Sequence, residues 1–298
     1  METLKLLEWN INQRSSGRKI PEFIADEILA KNPDVIILVE FKGEDNLAML
    51  KKKLSNYYIA SYDGIIVPNE KNKEERIGNG ILIGLKRKKF ESPNYRDISY
   101  QRENVDEQPN WIKVSAKLAN GTAIDIIGVK VRIEKETTPD LSSRKDQLEW
   151  ICSQNSKTDT LIMLGDLNYG PHRTEYLNTK ELNWQDIIDM MRHNQILNVA
   201  YPKDNFIEDS PYSPYSPFGS SFKNEQIDWL VAKNVRINRD SSYNQLDWSF
   251  GRHNTQSFKN GYLVPQGYFI RTDPAYPDHA IFTAEISVPS EEEKTVKK

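Results

Sequence analysis

The run Val35-Ile36-Ile37-Leu38-Val39 constrains the fold more than any other stretch of the chain. It is continuous and mostly β-branched, the signature of a strand buried on both faces, which needs a packed layer on either side. The residues before it agree. Leu4-Lys5-Leu6-Leu7-Glu8-Trp9 reads as a strand. Ile20 to Leu29 carries apolar residues at helical spacing, with Pro21 suited to a first turn. The chain opens as strand, helix, strand.

Its middle is built differently. Trp111 to Leu118 and Ala123 to Arg132 alternate around Asn120-Gly121, a strong signal for a tight hairpin. A helix is predicted over Leu141 to Ser153, a strand over Thr160 to Leu164 and a helix over Gln185 to His193. Ile227 to Val231 reads as extended, and Ala280 to Ile286 as a final alternating strand. Helices and hairpins share one chain, which predicts a mixed-sheet α/β or α+β architecture. There is no Ser/Gly linker and no internal repeat, so residues 1–289 are expected to form a single domain, with 290–298 a frayed, charged tail. The Ser-Pro-Tyr units between Asp209 and Phe218 predict turns or polyproline-like chain.

Charge and cysteine usage narrow the function. Lys and Arg total 40 against 43 Asp and Glu, a net charge of −3, so any grip on a polyanion must be local. A single cysteine, Cys152, excludes an internal disulfide framework and a cysteine-rich zinc site. No apolar run approaches membrane-spanning length and the N-terminus lacks a leader pattern, so a cytoplasmic protein is expected.

The informative positions are polar residues that directly follow buried strands, where α/β folds bind ligands. Trp9-Asn10-Ile11-Asn12 ends the first strand and Val39-Glu40 the second. Leu164 is followed by Gly165-Asp166-Leu167-Asn168. Ile227-Asp228-Trp229-Leu230 sets a carboxylate inside a strand, where it needs a partner, and Asp278-His279 precedes the last strand. Each is ordinary alone: Gly-Asp-X-Asn is usually a turn and Asp-His says little. Together they supply carboxylates, amides and an Asp–His pair. Hard divalent cations prefer carboxylate and amide oxygens, so Glu40 could hold Mg²⁺ against a phosphate oxygen. Asp166 could orient or deprotonate an attacking water, Asn168 could donate to a non-bridging oxygen, and Asp228 could tune the His279 imidazole. The chemistry this predicts is phosphoester hydrolysis.

These motifs, in this order, resemble the endonuclease/exonuclease/phosphatase superfamily over about Leu4 to Ile286. The resemblance implies a DNase I-like four-layer sandwich, two packed mixed β-sheets flanked by helices, with the site at one end of the sheets. It also implies metal binding by Glu40 with help from Asn12 or Asp278. Asn10 would hold the site's hydrogen bonds, Asp166 and Asn168 the water and phosphate, and Asp228 would orient His279. Two positions depart from the pattern. Lys130 stands where the family commonly has a second histidine, or a tyrosine in apurinic endonucleases, and Asn12 stands where those enzymes use aspartate. Both argue against a dedicated abasic-site enzyme. A lysine could still bind phosphate as a point charge, and Arg132 lies on the same strand face.

Three features favour nucleic acid as the substrate. Arg14 and Arg18 lie in a basic segment just after the first strand. Lys86-Arg87-Lys88-Lys89 is a second basic run, and Tyr243 to Tyr268 interleaves aromatic residues with Arg252 and Lys259, a composition suited to base stacking. The expected function is a Mg²⁺- or Mn²⁺-dependent phosphodiesterase, most simply a nuclease. The rivals are a cytoplasmic phosphatase of a small metabolite or phosphoinositide, and a non-catalytic binding module of the same fold.

Overall fold

A computed structural model describes residues 1–12, 19–63, 80–102, 107–133, 138–170, 183–193, 198–200, 227–247, 258–259, 262–263, 277 and 279–290. The strands of the first half are β1 (Glu2–Asn10), β2 (Val35–Phe41), β3 (Tyr57–Tyr62), β4 (Gly80–Lys86), β5 (Ile98–Tyr100), β6 (Asn110–Lys117) and β7 (Ala123–Lys130). In the second half follow β8 (Leu161–Asp166), β9 (Asn198–Ala200), β10 (Asp228–Lys233), β11 (Arg236–Ile237), β12 (Gln245–Asp247), β13 (Phe258–Lys259), β14 (Tyr262–Leu263) and β15 (Ile281–Val288). The helices are α1 (Phe23–Lys31), α2 (Glu44–Lys53), α3 (Thr138–Gln154) and α4 (Trp184–His193).

Two large sheets result. One has the order β11-β15-β1-β2-β4-β3, with β12 also on β15, and the other β5-β6-β7-β8-β10-β9. Both are mixed: β1 is parallel to β2 and antiparallel to β15, while β7 is parallel to β8, which is antiparallel to β10. Leu6, Ile37, Ile83 and Phe282 of the first sheet pack against Ile112, Ile126, Leu164 and Leu230 of the second, forming one apolar layer between them. On the far side of the first sheet, Ile24 and Ile28 of α1 and Leu50 of α2 cover Leu7, Trp9, Ile36 and Leu38. Leu148 and Ile151 of α3 and Ile187 and Met191 of α4 do the same for Ile127, Met163 and Val231. This is a four-layer sandwich of the DNase I-like type, and it explains why every residue of β2 is buried.

The hairpin forms as its sequence predicts, Asn110 pairing with Lys130 at one end and Lys117 with Ala123 at the other. Gly121 takes φ 85° in the turn, which glycine reaches without steric cost. Helix α1 begins three residues later than its periodicity implies. The Ile20 N–H is held instead by the Asn46 side chain at 3.0 Å, and the first turn closes on the carbonyls of Pro21 and Glu22. Strands β3 and β4 and helix α2 are not among the elements read from the sequence. The two strands complete the edge of the first sheet, with Ile81 and Ile83 in the layer between the sheets, and α2 covers the outer face.

All but Ser290 of the expected 290–298 tail, the Asp209–Phe218 segment and most of the aromatic stretch beyond Asp247 lie outside the described residues. Among the described residues no helix is long and apolar enough to cross a membrane.

Candidate active site

The topology gathers the predicted residues by a simple rule. Strands β1 and β2 end on the same side, as do β7 and β8, while antiparallel β10 and β15 begin there. Asn10, Glu40, Lys130 and Asp166 therefore arrive from strand C-termini, and Asp228 and His279 from strand starts. In the second sheet, register sets Lys130 beside Asp166 and Asp166 beside Asp228. Arg14, Arg18 and Asp278 lie outside the described residues.

The contacts tie the two sheets together. Asn10 donates from Nδ2 to Asp166 Oδ2 at 3.2 Å, while its Oδ1 accepts the backbone N–H of Asn12 at 3.0 Å. The other Asp166 oxygen accepts the Asn168 N–H at 2.9 Å. Asn168 Nδ2 donates to the Val131 carbonyl at 2.7 Å, so only its second amide proton could serve another acceptor. Asp228 Oδ2 lies 2.8 Å from His279 Nδ1, which directs chemistry at this imidazole through Nε2. Lys130 is in ion-pair contact with Glu40 across the two sheets. Arg132 sits just beyond β7, with its Nε on the Gln108 carbonyl at 3.0 Å.

Backbone geometry is unusual at these positions. Asn12, Glu40 and Asn168 have φ of 55°, 53° and 48°, in the left-handed region. Such conformations carry a local cost and concentrate where function fixes them. For Glu40 the consequence is direct. Val39 faces the layer between the sheets, so strict alternation would turn Glu40 outward toward the helices and Phe41 inward. The register shifts between Val39 and Phe41, and Phe41 packs on the outer side. Glu40 is the extra residue of this bulge, and its carboxylate meets the other sheet.

Supporting residues absent from the sequence reading hold this arrangement. Arg144, fully buried on α3, donates from Nη1 to the Asn168 carbonyl at 2.7 Å. One turn further on, Gln147 accepts the Arg132 N–H at 2.8 Å and donates to the Arg132 carbonyl at 3.2 Å. The helix thus pins both loops that leave the central strands of the second sheet. The indole of Trp9 donates to the His279 carbonyl at 3.1 Å, and that of Trp229 to the Tyr169 carbonyl at 2.9 Å. Arg144 and Gln147 fall on the helical stripe set by Leu141, Leu148 and Ile151, and polar residues on an apolar stripe were the available signal.

Glu8 is the other residue not anticipated. It lies on β1 two residues before Asn10, on the same face, and is completely buried with neither carboxylate oxygen hydrogen-bonded. Burial, then the charges of Asp228 and Asp166, push its pKa well above the ordinary carboxylate range. Asp166 is raised too, by burial and by Asp228, against the opposing pull of His279, Lys130 and the Asn168 N–H.

This corner concentrates acidic groups, and its donors are carboxylate and amide oxygens with one imidazole nitrogen. One ligand atom from each of Asp166, Asp228 and His279 lies within 4.8 Å of the others. A corner this rich in carboxylates suits a hard divalent cation bound beside it. The Glu40 carboxylate lies outside this trio and is linked to it through Lys130, the register neighbour of Asp166.

A model of the Endonuclease/Exonuclease/phosphatase family matches residues 7–253, a span that takes in Asn10, Glu40, Asp166 and Asp228. The chain belongs to the endonuclease/exonuclease/phosphatase family. Members of this family are phosphoric ester hydrolases that typically use divalent metals, and the site described above has the donors such chemistry requires. The fold is shared with an endonuclease/exonuclease/phosphatase from Beutenbergia cavernae, at 15% identity and a TM-score of 0.61, over 97% of this chain and 72% of that one. It is shared also with the human Nocturnin catalytic domain bound to sulfate, at 16% identity and a TM-score of 0.59, over 96% and 95% of the two chains. Zebrafish (D. rerio) TDP2 in complex with a single-strand DNA product aligns at 11% identity and a TM-score of 0.55, over 97% and 100%. No curated protein sequence matches the chain.

The basic run Lys86 to Lys89 is far from this chemistry. It follows the end of β4 that pairs with Val35, the opposite end of the sheet from Glu40. Lys86 pairs with Asp34, Lys89 with Glu2, and Arg87 lies over the Tyr58 ring. It therefore gives no support to a nucleic-acid contact at the site.

Proposed function

We propose that the protein is a Mg²⁺- or Mn²⁺-dependent phosphodiesterase that hydrolyses nucleic acid, with residues 1–289 as its catalytic unit. The observation that carries this reading is the meeting of two hydrogen-bonded pairs, Asn10 with Asp166 and Asp228 with His279, in one buried corner where the two sheets join, with Glu40 at the end of the neighbouring strand β2. Glu40 would hold the metal with Asn12 or Asp278, and a divalent cation there supplies charge neutralisation at a phosphate oxygen. Asn10 holds Asp166 in place. Asp166 orients the attacking water, and its raised pKa suits it to accept a proton nearer neutral pH than an ordinary aspartate would. His279, fixed by Asp228, faces the phosphate as the second group able to move a proton. Asn168 and Lys130 meet non-bridging oxygens, and Arg14, Arg18 and Arg132 serve the flanking phosphates. The single-strand DNA product named in the TDP2 complex supports nucleic acid over a small phosphoester.

The test is cleavage of supercoiled plasmid and labelled single strands with Mg²⁺ or Mn²⁺, beside EDTA and His279→Ala controls. Cutting by the wild type alone, abolished by EDTA, is the expected result. Absence of cutting at low salt would sink the nuclease reading and turn attention to phosphate release from small metabolites and phosphoinositides. Substrate binding that is indifferent to His279→Ala, with no metal-dependent product, would identify a binding module.

A further inference from the structure

The contact between Lys130 and Glu40 has a consequence for metal binding, if Glu40 holds the cation as proposed above. The Lys130 side chain is only 3% exposed and that of Glu40 11%, so neither charge is a solvated surface group. An ammonium buried to this degree persists because an anion faces it. Register places Lys130 next to Asp166 in the second sheet, and the bulge at Glu40 turns that carboxylate toward the same point from the first. A divalent cation bound by Glu40 at ordinary oxygen distances would share that carboxylate with the ammonium. Two cations a few ångströms apart in a buried corner repel strongly. A neutral side chain in place of Lys130 would impose no such repulsion.

We propose that Lys130 is a built-in competitor of the metal: its ammonium occupies Glu40 until a divalent cation displaces it. The protein therefore binds metal more weakly than the same site with a neutral residue in place of Lys130. The competition depends on the charge of Lys130, and it acts before any substrate arrives.

Direct Mn²⁺ binding without substrate, read from the free-ion signal in electron paramagnetic resonance, tests this independently of any hydrolytic activity. Lys130→Gln and Lys130→His should each lower the Mn²⁺ dissociation constant by roughly tenfold or more, given the size of the repulsion removed. Lys130→Arg, which keeps the charge, should bind as the wild type does. Glu40→Gln should weaken binding both in the wild-type background and when combined with Lys130→Gln. Thermal melts give a second readout, since Mn²⁺ should raise the Tm of Lys130→Gln at lower metal concentration than it does the wild type. Unchanged or weaker Mn²⁺ binding by folded Lys130→Gln and Lys130→His overturns the competition while leaving the metal-dependent reading intact. No Mn²⁺ binding by any variant overturns both.

Discussion

At the scale of single residues, the site works through pairs in which one side chain fixes the state of another. Asn10 spends both ends of its amide, one on Asp166 and one on the Asn12 backbone, so it cannot turn without releasing the carboxylate. Asp228 does the same for His279 at 2.8 Å. Only a carboxylate can both accept the Nδ1 proton and stabilise the imidazolium that forms when Nε2 takes a proton. Asp228→Asn keeps the shape and removes the charge. Its kcat should fall on the order of 10²-fold or more while Mn²⁺ binding at Glu40 persists, as steady-state cleavage and metal titration would show. An unchanged kcat would mean that the imidazole takes no part in proton transfer.

At the scale of elements, the site depends on two local departures from regular strands. The bulge in β2 carries Glu40 to the correct face. The other is Gly165 near the end of β8, where an added Cβ would lie 1.8 Å from the Val129 carbonyl oxygen. The clash is with backbone and cannot be relieved by a rotamer change. Gly165→Ala should therefore force β7 and β8 apart between Lys130 and Asp166. We expect a loss on the order of 3 kcal/mol or more in urea unfolding, at the severe end for single substitutions. A melting curve superimposable on the wild type would show that the strands can accommodate the methyl group. Helix α3 is the complementary support, since Arg144 holds the Asn168 carbonyl in one loop and Gln147 the N–H and carbonyl of Arg132 in the other.

At the scale of the whole molecule, two properties follow from where charge is placed. Glu8 sits unpartnered between the sheets with its pKa raised. Below about pH 4, the ordinary carboxylate value, folded and unfolded chains are both protonated there and Glu8 adds no pH dependence. As pH rises above it, the unfolded chain loses the proton while the folded chain keeps it, so stability falls by up to about 1.4 kcal/mol per pH unit until the folded pKa is reached. Asp166, also raised, contributes with the same sign. Glu8→Gln should flatten this decline and stabilise the metal-free protein at neutral pH, measured as urea midpoints across pH in EDTA. A slope identical to the wild type would show that Glu8 ionises in the folded state as it does in the unfolded. The second property concerns salt. With a net charge of −3, the proposed contact with nucleic acid would rest on local cations, so cleavage by the proposed nuclease should weaken steeply as salt rises. Arg87→Ala with Lys88→Ala, at the opposite end of the sheet, should leave that salt slope unchanged. A shallower slope would bring the run into the interface after all.

The sequence alone determined the strand–helix alternation, the hairpin at Asn120-Gly121 and the ordered set of polar residues that close buried strands. These signals are local: periodicity, turn chemistry and a polar residue directly after an apolar run are all written within a few positions. Only the tertiary structure decided that Glu40 bulges toward the facing sheet, that Lys130 meets it, and that the Lys86 to Lys89 run lies at the other end. It alone revealed Glu8, which in sequence is one polar position in an alternating strand. Facing residues across two packed sheets are separated by long stretches of chain, and no periodicity along one strand reports what stands opposite on another. Burial and electrostatics at this site belong to that meeting of strands, so they exist only once the sandwich has closed.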